Sequence, residues 1–206
     1  MLLYLQGQLL AEKDKIMTIP EITLNNGTKI PAFGLGTYKA TGNDVEKAVL
    51  TALENGYRHI DTASLYENED IIGRAIRKSS IERSSIFLTS KVWNSEQGYS
   101  ETHTAFERSL NRLQTDYLDL YLIHWPQPKN HETWKAMEEL YMDKKVRSIG
   151  VSNFDIHHLE KLMQKAEVQP VLNQIELHPH LKQQDIRTFC SQHKIAVEAW
   201  APLMRG

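Results

Sequence analysis

Leu118-Asp119-Leu120-Tyr121-Leu122-Ile123-His124-Trp125-Pro126 is the stretch on which the fold turns. Its apolar part has the length of a buried strand, shorter than an ordinary helix, and it stops on a polar histidine. The same form recurs along the chain. Apolar runs also end at Asp61, Lys91, Asn153, Gln174 and Trp200, so that with His124 the ends fall at intervals of 21 to 33 residues, about one strand plus its crossover helix. Val146-Arg147-Ser148-Ile149-Gly150-Val151 is the run that leads to Asn153. Between the runs lie helical spacings, such as Phe106/Leu110/Leu113, Trp134/Met137/Tyr141, Ile156/Leu159/Met163 and Ile186/Phe189/Cys190. Short strands separated by helices predict a parallel sheet. An open doubly wound sheet gathers its ligand at one switch point, whereas a barrel carries polar groups at the C-terminal ends of many strands. Here nearly every run ends in a polar or aromatic residue, which favours the barrel.

Upstream, Ile22-Thr23-Leu24, Asn26-Gly27 and Lys29-Ile30 read as a hairpin with a tight turn, because Asn-Gly tolerates positive φ. The period then changes to that of an amphipathic helix at Val45, Ala48, Val49, Ala52 and Leu53, with Asn43 as the expected N-cap and Gly56 as the stop. Residues 1–16 lack a basic segment before Met1-Leu2-Leu3-Tyr4-Leu5, too short a run for a signal or a membrane span. They read as a leader or appendage, with Met17 an alternative start. The fold is then expected over 17–206.

The 206 residues are enough for one domain with a proper core. Lys plus Arg number 24 against 26 Asp plus Glu without a long run of either sign, so neither nucleic acid nor an anionic membrane is indicated. The expected ligand is a small molecule. One cysteine, Cys190, excludes an internal disulfide framework and fits a reducing compartment, with the cytoplasm as the default.

Two cofactor motifs fail on spacing. Gly34-Leu35-Gly36-Thr37-Tyr38-Lys39 lacks the third glycine of a dinucleotide fingerprint and a placed acidic partner. His131-Glu132 has no second histidine at helical spacing, His178-Pro179-His180 has no further evident ligands, and His157-His158 reads as a solvated first helical turn, so no metal is expected.

Three segments carry the chemistry: Gly56-Tyr57-Arg58-His59-Ile60-Asp61-Thr62-Ala63-Ser64-Leu65-Tyr66-Glu67-Asn68-Glu69, then Thr89-Ser90-Lys91-Val92-Trp93, then Leu122-Ile123-His124-Trp125-Pro126. Together they resemble the signature of the aldo-keto reductases, nearest the bacterial branch that includes the 2,5-diketogluconate and glyoxal reductases. The resemblance runs from about the hairpin to the last residue. It implies an α/β fold, a (β/α)8 TIM barrel with an N-terminal β-hairpin, and NADPH-dependent reduction of aldehydes or ketones such as reactive dicarbonyls, aldoses or keto acids. NADH is not excluded.

Carried onto matching positions, the resemblance implies Asp61, Tyr66, Lys91 and His124 as the catalytic set. Reduction leaves negative charge on the carbonyl oxygen, so an acid must supply a proton as that charge grows. Tyr66 is expected to be that acid. Lowering a phenol by two to three units takes roughly 3–4 kcal/mol, and one ammonium about 4 Å away at an effective dielectric near 20 supplies about 4 kcal/mol. That service falls to Lys91, held and kept charged by Asp61. A neutral His124 would donate to the carbonyl oxygen and orient it.

The cofactor is expected on Thr37, Asp61, Ser152, Asn153, Gln174, Trp200, Pro202 and Leu203, since amides and hydroxyls suit a carboxamide and an aromatic face suits a flat ring. Tyr38, Trp93, His124 and Trp125 are expected to line the substrate mouth. Each residue taken singly has a plainer reading: Asp61-Thr62 or Asn153 as helix caps, Trp200 as core, His124-Trp125-Pro126 as a buried turn. Their order and their places after strands favour the site.

The family continues well past Ala201-Pro202-Leu203, so the chain is expected to be a truncated barrel of about seven strands without its last βα unit. Two open edges would then favour association where the full-length form would be a monomer, and lost phosphate anchors would weaken NADPH binding. An inactive remnant, or a fragment that binds a partner chain through its open edge, is the alternative reading. A barrel kept for binding alone finds no support in the intact Tyr66 and Lys91.

Overall fold

The computed structural model describes residues 19–204, so the expected leader over 1–16 lies outside the described residues. The hairpin is present, with β1 (Glu21–Thr23) antiparallel to β2 (Lys29–Pro31). Its turn is the tight one expected at Asn26-Gly27. Leu24 N donates to Thr28 O at 2.8 Å and Gly27 N to Leu24 O at 2.9 Å, and of the turn residues Gly27 alone takes positive φ, at 85°. That is a three-residue loop with glycine in the left-handed position, one residue longer than a type I′ turn.

Seven strands follow in sequence order, each parallel to the next: β3 (Leu35–Gly36), β4 (His59–Asp61), β5 (Phe87–Val92), β6 (Leu120–Ile123), β7 (Ile149–Ser152), β8 (Leu172–Glu176) and β9 (Ala196–Trp200). Among the described residues six α-helices connect or flank them: α1 (Gly42–Glu54), α2 (Glu69–Lys78), α3 (Tyr99–Leu113), α4 (Asn130–Met142), α5 (Ile156–Met163) and α6 (Gln184–Gln192). Among the described residues, β3 and β9 each have one sheet neighbour. The sheet is nevertheless curled far enough that Gln174 on β8 hydrogen-bonds Asp61 on β4 across its interior.

The period-two alternation of the strands sorts their side chains into two cores. Ile60, Leu88, Tyr121, Ile123, Ile149 and Val151 face outward and pack with the helices, whose buried stripe includes Val45, Val49, Leu53, Phe106, Leu110, Trp134 and Met137. Phe87, Leu120, Leu122 and Leu172 face inward and pack with Leu24 and Ile30 of the hairpin, which therefore plugs the end of the barrel where the strands begin. Asp119, buried at that end, accepts from Arg83 at 2.9 Å and from Arg147 at 3.0 Å, and also caps Leu88 N. An apolar floor and a satisfied ion cluster below leave the polar inward positions to the other end.

The stripe Val45/Val49/Ala52/Leu53 is the buried face of α1, and Gly56 follows its end at φ 90°. The N-cap is Thr41 rather than the expected Asn43, because the helix begins at Gly42 and takes Asn43 into its first turn. Helix α5 is capped by Asp155, which exchanges side-chain and backbone hydrogen bonds with His158, so Asn153 is free for another role. Asp155, His157 and His158 bring donor atoms within 4.8 Å of one another, and that reciprocal cap accounts for the Asp155–His158 approach.

Gly73 lies where α2 crosses the end of α3. A Cβ there would stand 2.4 Å from the Leu113 carbonyl oxygen and 2.6 Å from its carbon, and backbone cannot yield as a flexible side chain does. Gly73→Ala is therefore expected to cost about 1–3 kcal/mol, outweighing its gain in helix propensity. Urea unfolding of the two proteins checks this, and an equal or higher midpoint for the variant contradicts the packing described.

Candidate active site

At the C-terminal end of the barrel the inward positions turn polar. Lys91, on β5, is fully buried, and its Nζ donates to Asp61 Oδ1 at 2.6 Å, to Thr62 O at 2.9 Å and toward Tyr66 Oη at 3.5 Å. The three donors of the ammonium are thus spent on one carboxylate, one carbonyl and one phenol. Asp61 ends β4 and uses its second oxygen to accept from Gln174 Nε2 at 2.8 Å.

Tyr66 lies in a single 3-10 turn, Ser64–Tyr66, within the loop after β4. The loop is pinned from both sides. Asn68, buried, donates to the carbonyls of Thr37 and Ala40 and accepts from Thr62 Oγ1, while Ser64 Oγ donates to Glu96 at 2.6 Å. Glu67, at φ 54°, makes the sharp reversal between them. The phenol is consequently held over the strand ends, its ring set among neighbouring aromatics with Lys91 Nζ 5.2 Å from its centroid. Tyr38, Tyr66, His124 and Trp93 form a continuous series, with ring centroids 5.1 Å, 5.6 Å and 5.1 Å apart in that order. Trp125 is 41% exposed and has no ring contact with the series among the described residues, so it stands at the outer lip.

His124 is buried at the end of β6, and its Nδ1 has no hydrogen-bond partner among the described residues. A buried lone pair left alone costs less than a buried N–H left alone, which assigns the proton to Nε2. Burial, aided by the Lys91 charge and opposed by Asp61, brings its pKa down to about 3. The ring is therefore neutral across the physiological range, as expected from the sequence. His59, one inward position below Asp61 on β4, is likewise kept neutral by burial, at about 4.

The expected acidification of Tyr66 is not found. Burial raises its pKa above 10, outweighing the nearby Lys91, while the Asp61 charge adds to the rise. Burial of the phenol outweighs the one ammonium beside it, and Asp61, 2.6 Å from that ammonium, opposes part of its field. Lys91 itself is pulled down by its burial and raised more strongly by Asp61, Tyr66 and Glu198, so it stays charged.

Ser152, Asn153, Gln174 and Trp200 meet on the far side of the cleft, at the ends of β7, β8 and β9. Asn153 takes the left-handed conformation, φ 62°, and this turns its amide back: Nδ2 donates to His124 O and Ser152 Oγ, both at 3.0 Å, and Oδ1 accepts from Trp200 Nε1 at 2.8 Å. Asn is among the few residues that tolerate that backbone state cheaply. Ser152 Oγ donates to Gln174 O at 2.9 Å. Gln174 spends its amide on two carboxylates, Asp61 at 2.8 Å and Glu198 at 3.0 Å, and its own Oε1 has no partner among the described residues. Thr37 is buried, with both its N and its Oγ1 donating to Asp61 O at 3.0 Å, so its hydroxyl anchors the end of β4. Pro202 and Leu203 lie exposed beyond β9.

Glu198 was not anticipated. Its parity with Trp200 places it inside the barrel, although a lone glutamate in a strand ordinarily reads as solvent-facing. The alternation Ala196/Glu198/Trp200 was the signal available.

Comparison with known proteins agrees with the barrel fold. The family model described as "Aldo/keto reductase family" matches residues 32–206. The chain is 53% identical over 187 residues to the glyoxal reductase of Bacillus subtilis, spanning 90% of this chain and 68% of that protein. The crystal structure of an aldo/keto reductase from Brucella melitensis superposes with a TM-score of 0.89 at 51% identity, covering 91% of this chain and 74% of that one. A Bombyx mori aldo-keto reductase in complex with NADP superposes with a TM-score of 0.85 at 36% identity, covering 90% and 67%. With the family model matched over residues 32–206 and a relative 53% identical over 68% of its own length, the chain belongs to the aldo/keto reductase family.

Proposed function

We propose that the protein reduces small reactive carbonyl compounds, dicarbonyls of the glyoxal type foremost, with NADPH as reductant and Tyr66 as proton donor. The observation that carries this reading is the Asp61–Lys91–Tyr66 chain of contacts opening beside a neutral His124. The relatives supply its coarser part, since one is named a glyoxal reductase and another binds NADP.

The residues present fit a nicotinamide. Gln174 Oε1 is an unused acceptor, Trp200 is a flat ring fixed by its indole N–H, and both stand at the same end of the barrel as Lys91. A bound reduced nicotinamide supplies the hydride. Everything else is the work of the chain. His124 Nε2–H and Tyr66 Oη–H both donate to the carbonyl oxygen and hold it in one orientation. As charge develops there, the proton of Tyr66 moves to it, and the ammonium of Lys91 stabilises the phenolate left behind. A phenol raised by burial remains protonated at neutral pH, which a general acid requires. The aromatic series Tyr38–Tyr66–His124–Trp93 excludes water and admits small, planar, weakly hydrated carbonyl groups.

The test is an assay of the purified protein with NADPH and glyoxal or methylglyoxal, following loss of the reduced nicotinamide's absorbance. Turnover above the protein-free rate, with one alcohol formed per NADPH consumed, is expected. Absence of any turnover with a panel of dicarbonyls, aldoses and keto acids under saturating NADPH or NADH would contradict the proposal. The single cysteine, Cys190, is buried, and we assign the activity to the reducing environment of the cytoplasm.

A further inference from the structure

The polar layer of the barrel holds two carboxylates and one ammonium, and the reaction described uses only one of the carboxylates. Asp61 has the ion pair with Lys91. Glu198 has no cation in hydrogen-bond contact: its Oε1 accepts from Gln174 Nε2 at 3.0 Å, and its Oε2 is enclosed without any partner among the described residues. The Gln174 amide has two hydrogens and gives one to each carboxylate. The accepting oxygens are thus no farther apart than the two bonds laid end to end, and two ionised carboxylates at that range repel strongly inside a protein. An ionised Glu198 would also leave Oε2 as a solvent-free, unpaired anionic oxygen.

Resting on the proposed reductase reading, we propose that Glu198 is a positioning residue of the site: it shares the Gln174 amide with Asp61, and its gain or loss of a proton sets the net charge of the layer beneath Tyr66. With Glu198 neutral, the layer of Lys91, Asp61 and Glu198 sums to zero. With Glu198 ionised, it carries one excess negative charge, which opposes both the growth of charge on the carbonyl oxygen and the phenolate that follows.

The charged and polar groups facing Glu198 are few. Asp61 comes from β4, Lys91 from β5 and the Gln174 amide from β8. Glu176, the next inward position on β8, is partly exposed at the mouth and lies 3.7 Å from His178. Asp185 and Arg187 belong to α6 on the outer side of β9 and are exposed to solvent. Burial first, then the Asp61 charge, raise Glu198 to about 7 from 4.5, against the opposing pull of Lys91 and of the Gln174 hydrogen bond. The geometry and the electrostatics therefore give the same answer: the proton goes to the carboxylate without an ion pair.

The substitution that isolates this is Glu198→Gln, which keeps an acceptor for Gln174 and is neutral at every pH. For wild type, a carboxyl whose folded pKa is raised holds a proton that the unfolded chain releases, so folding stability is lost as pH rises from about 4.5 to about 7. Melting temperatures of wild type and Glu198→Gln should therefore agree near the acid end of that window and diverge above it. At the alkaline side the variant should be higher by about 5 °C or more. In the reductase assay, wild-type kcat should fall on the order of tenfold across neutrality, and the variant should keep the acid-side rate throughout. A side chain that only fills space would move neither pH profile. Melting differences independent of pH, together with superposable rate profiles, would overturn the assignment. If the variant does not fold, titration of the wild-type glutamate carboxyl carbons by 13C NMR decides the matter, with one resonance expected to titrate near neutrality and its absence overturning the proposal. The melting and NMR measurements need no turnover, so failure of the reductase reading and failure of the Glu198 assignment are separately visible.

Discussion

Tyr66→Phe should lower kcat/KM for carbonyl reduction by about 10²–10⁴-fold, the range general-acid catalysis contributes, while leaving the fold and NADPH binding essentially intact. The substitution removes one oxygen atom. The ring contacts with Tyr38 at 5.1 Å and His124 at 5.6 Å do not depend on it, and the loop is held by Asn68 and Ser64 rather than by the phenol. Lys91 keeps its two shorter bonds, to Asp61 and Thr62. A fluorescence titration with NADPH beside the steady-state assay separates binding from chemistry. Undiminished turnover would show that another group, or water, supplies the proton.

Lys91→Met has the second large effect, and it strikes both stability and rate. Lys91 is fully buried, and its removal leaves Asp61 in the barrel without its cation. Breaking one partner of a buried pair costs about 3–5 kcal/mol, against a total of about 5–15 kcal/mol for an ordinary domain. The rate should fall further than stability explains. Loss of about 4 kcal/mol of phenolate stabilisation corresponds to about 10³-fold in kcat. The double variant Lys91→Met, Asp61→Asn separates the two effects, since it removes both charges and should recover most of the stability but only part of the rate, the part that the unpaired Asp61 charge had cost. Chemical denaturation and assay of all three variants form the cycle. Full recovery of rate in the double variant would place the essential function of the lysine in holding Asp61 rather than in acting on Tyr66.

How much of this was legible in the chain follows from which physical constraints are local. Strand ends could be read because each apolar run stops on a residue with a task, and β4, β5, β6, β7 and β9 end within one residue of the positions expected. Gln174 lies two residues inside β8 instead, because Ile175 and Glu176 extend its pairing with β9. The helices were legible through their buried stripes, but their caps were not. Thr41 and Asp155 are the N-cap residues, and the distinction from Asn43 and Asn153 depends on one residue's backbone angles.

The candidate site divides in the same way. Its members could be named from sequence, yet what they do to one another required distances. Asn153 shows this most plainly. Both of its amide hydrogens go to His124 O and Ser152 Oγ, so it braces the cleft by ordering Trp200 and β6 and does not offer a free donor. Thr37 similarly spends its hydroxyl on the chain end at Asp61. Glu198 was missed because an acidic residue in a short apolar strand belongs on the wet face unless the sheet curls. Only the cross-barrel contact of Gln174 with Asp61 shows that it does. The acidity of Tyr66 was not legible because it depends on burial: desolvation of the phenol outweighs the Lys91 charge, and Asp61 adds to the rise.

A structure of the protein with NADPH and a slowly reacting carbonyl compound tests the central claim most directly. The account predicts the carbonyl oxygen within about 2.6–3.2 Å of both Tyr66 Oη and His124 Nε2, with Lys91 Nζ still bridging Asp61 and Tyr66. A carbonyl oxygen bound to other donors, with Tyr66 Oη beyond reach of it, would contradict the account.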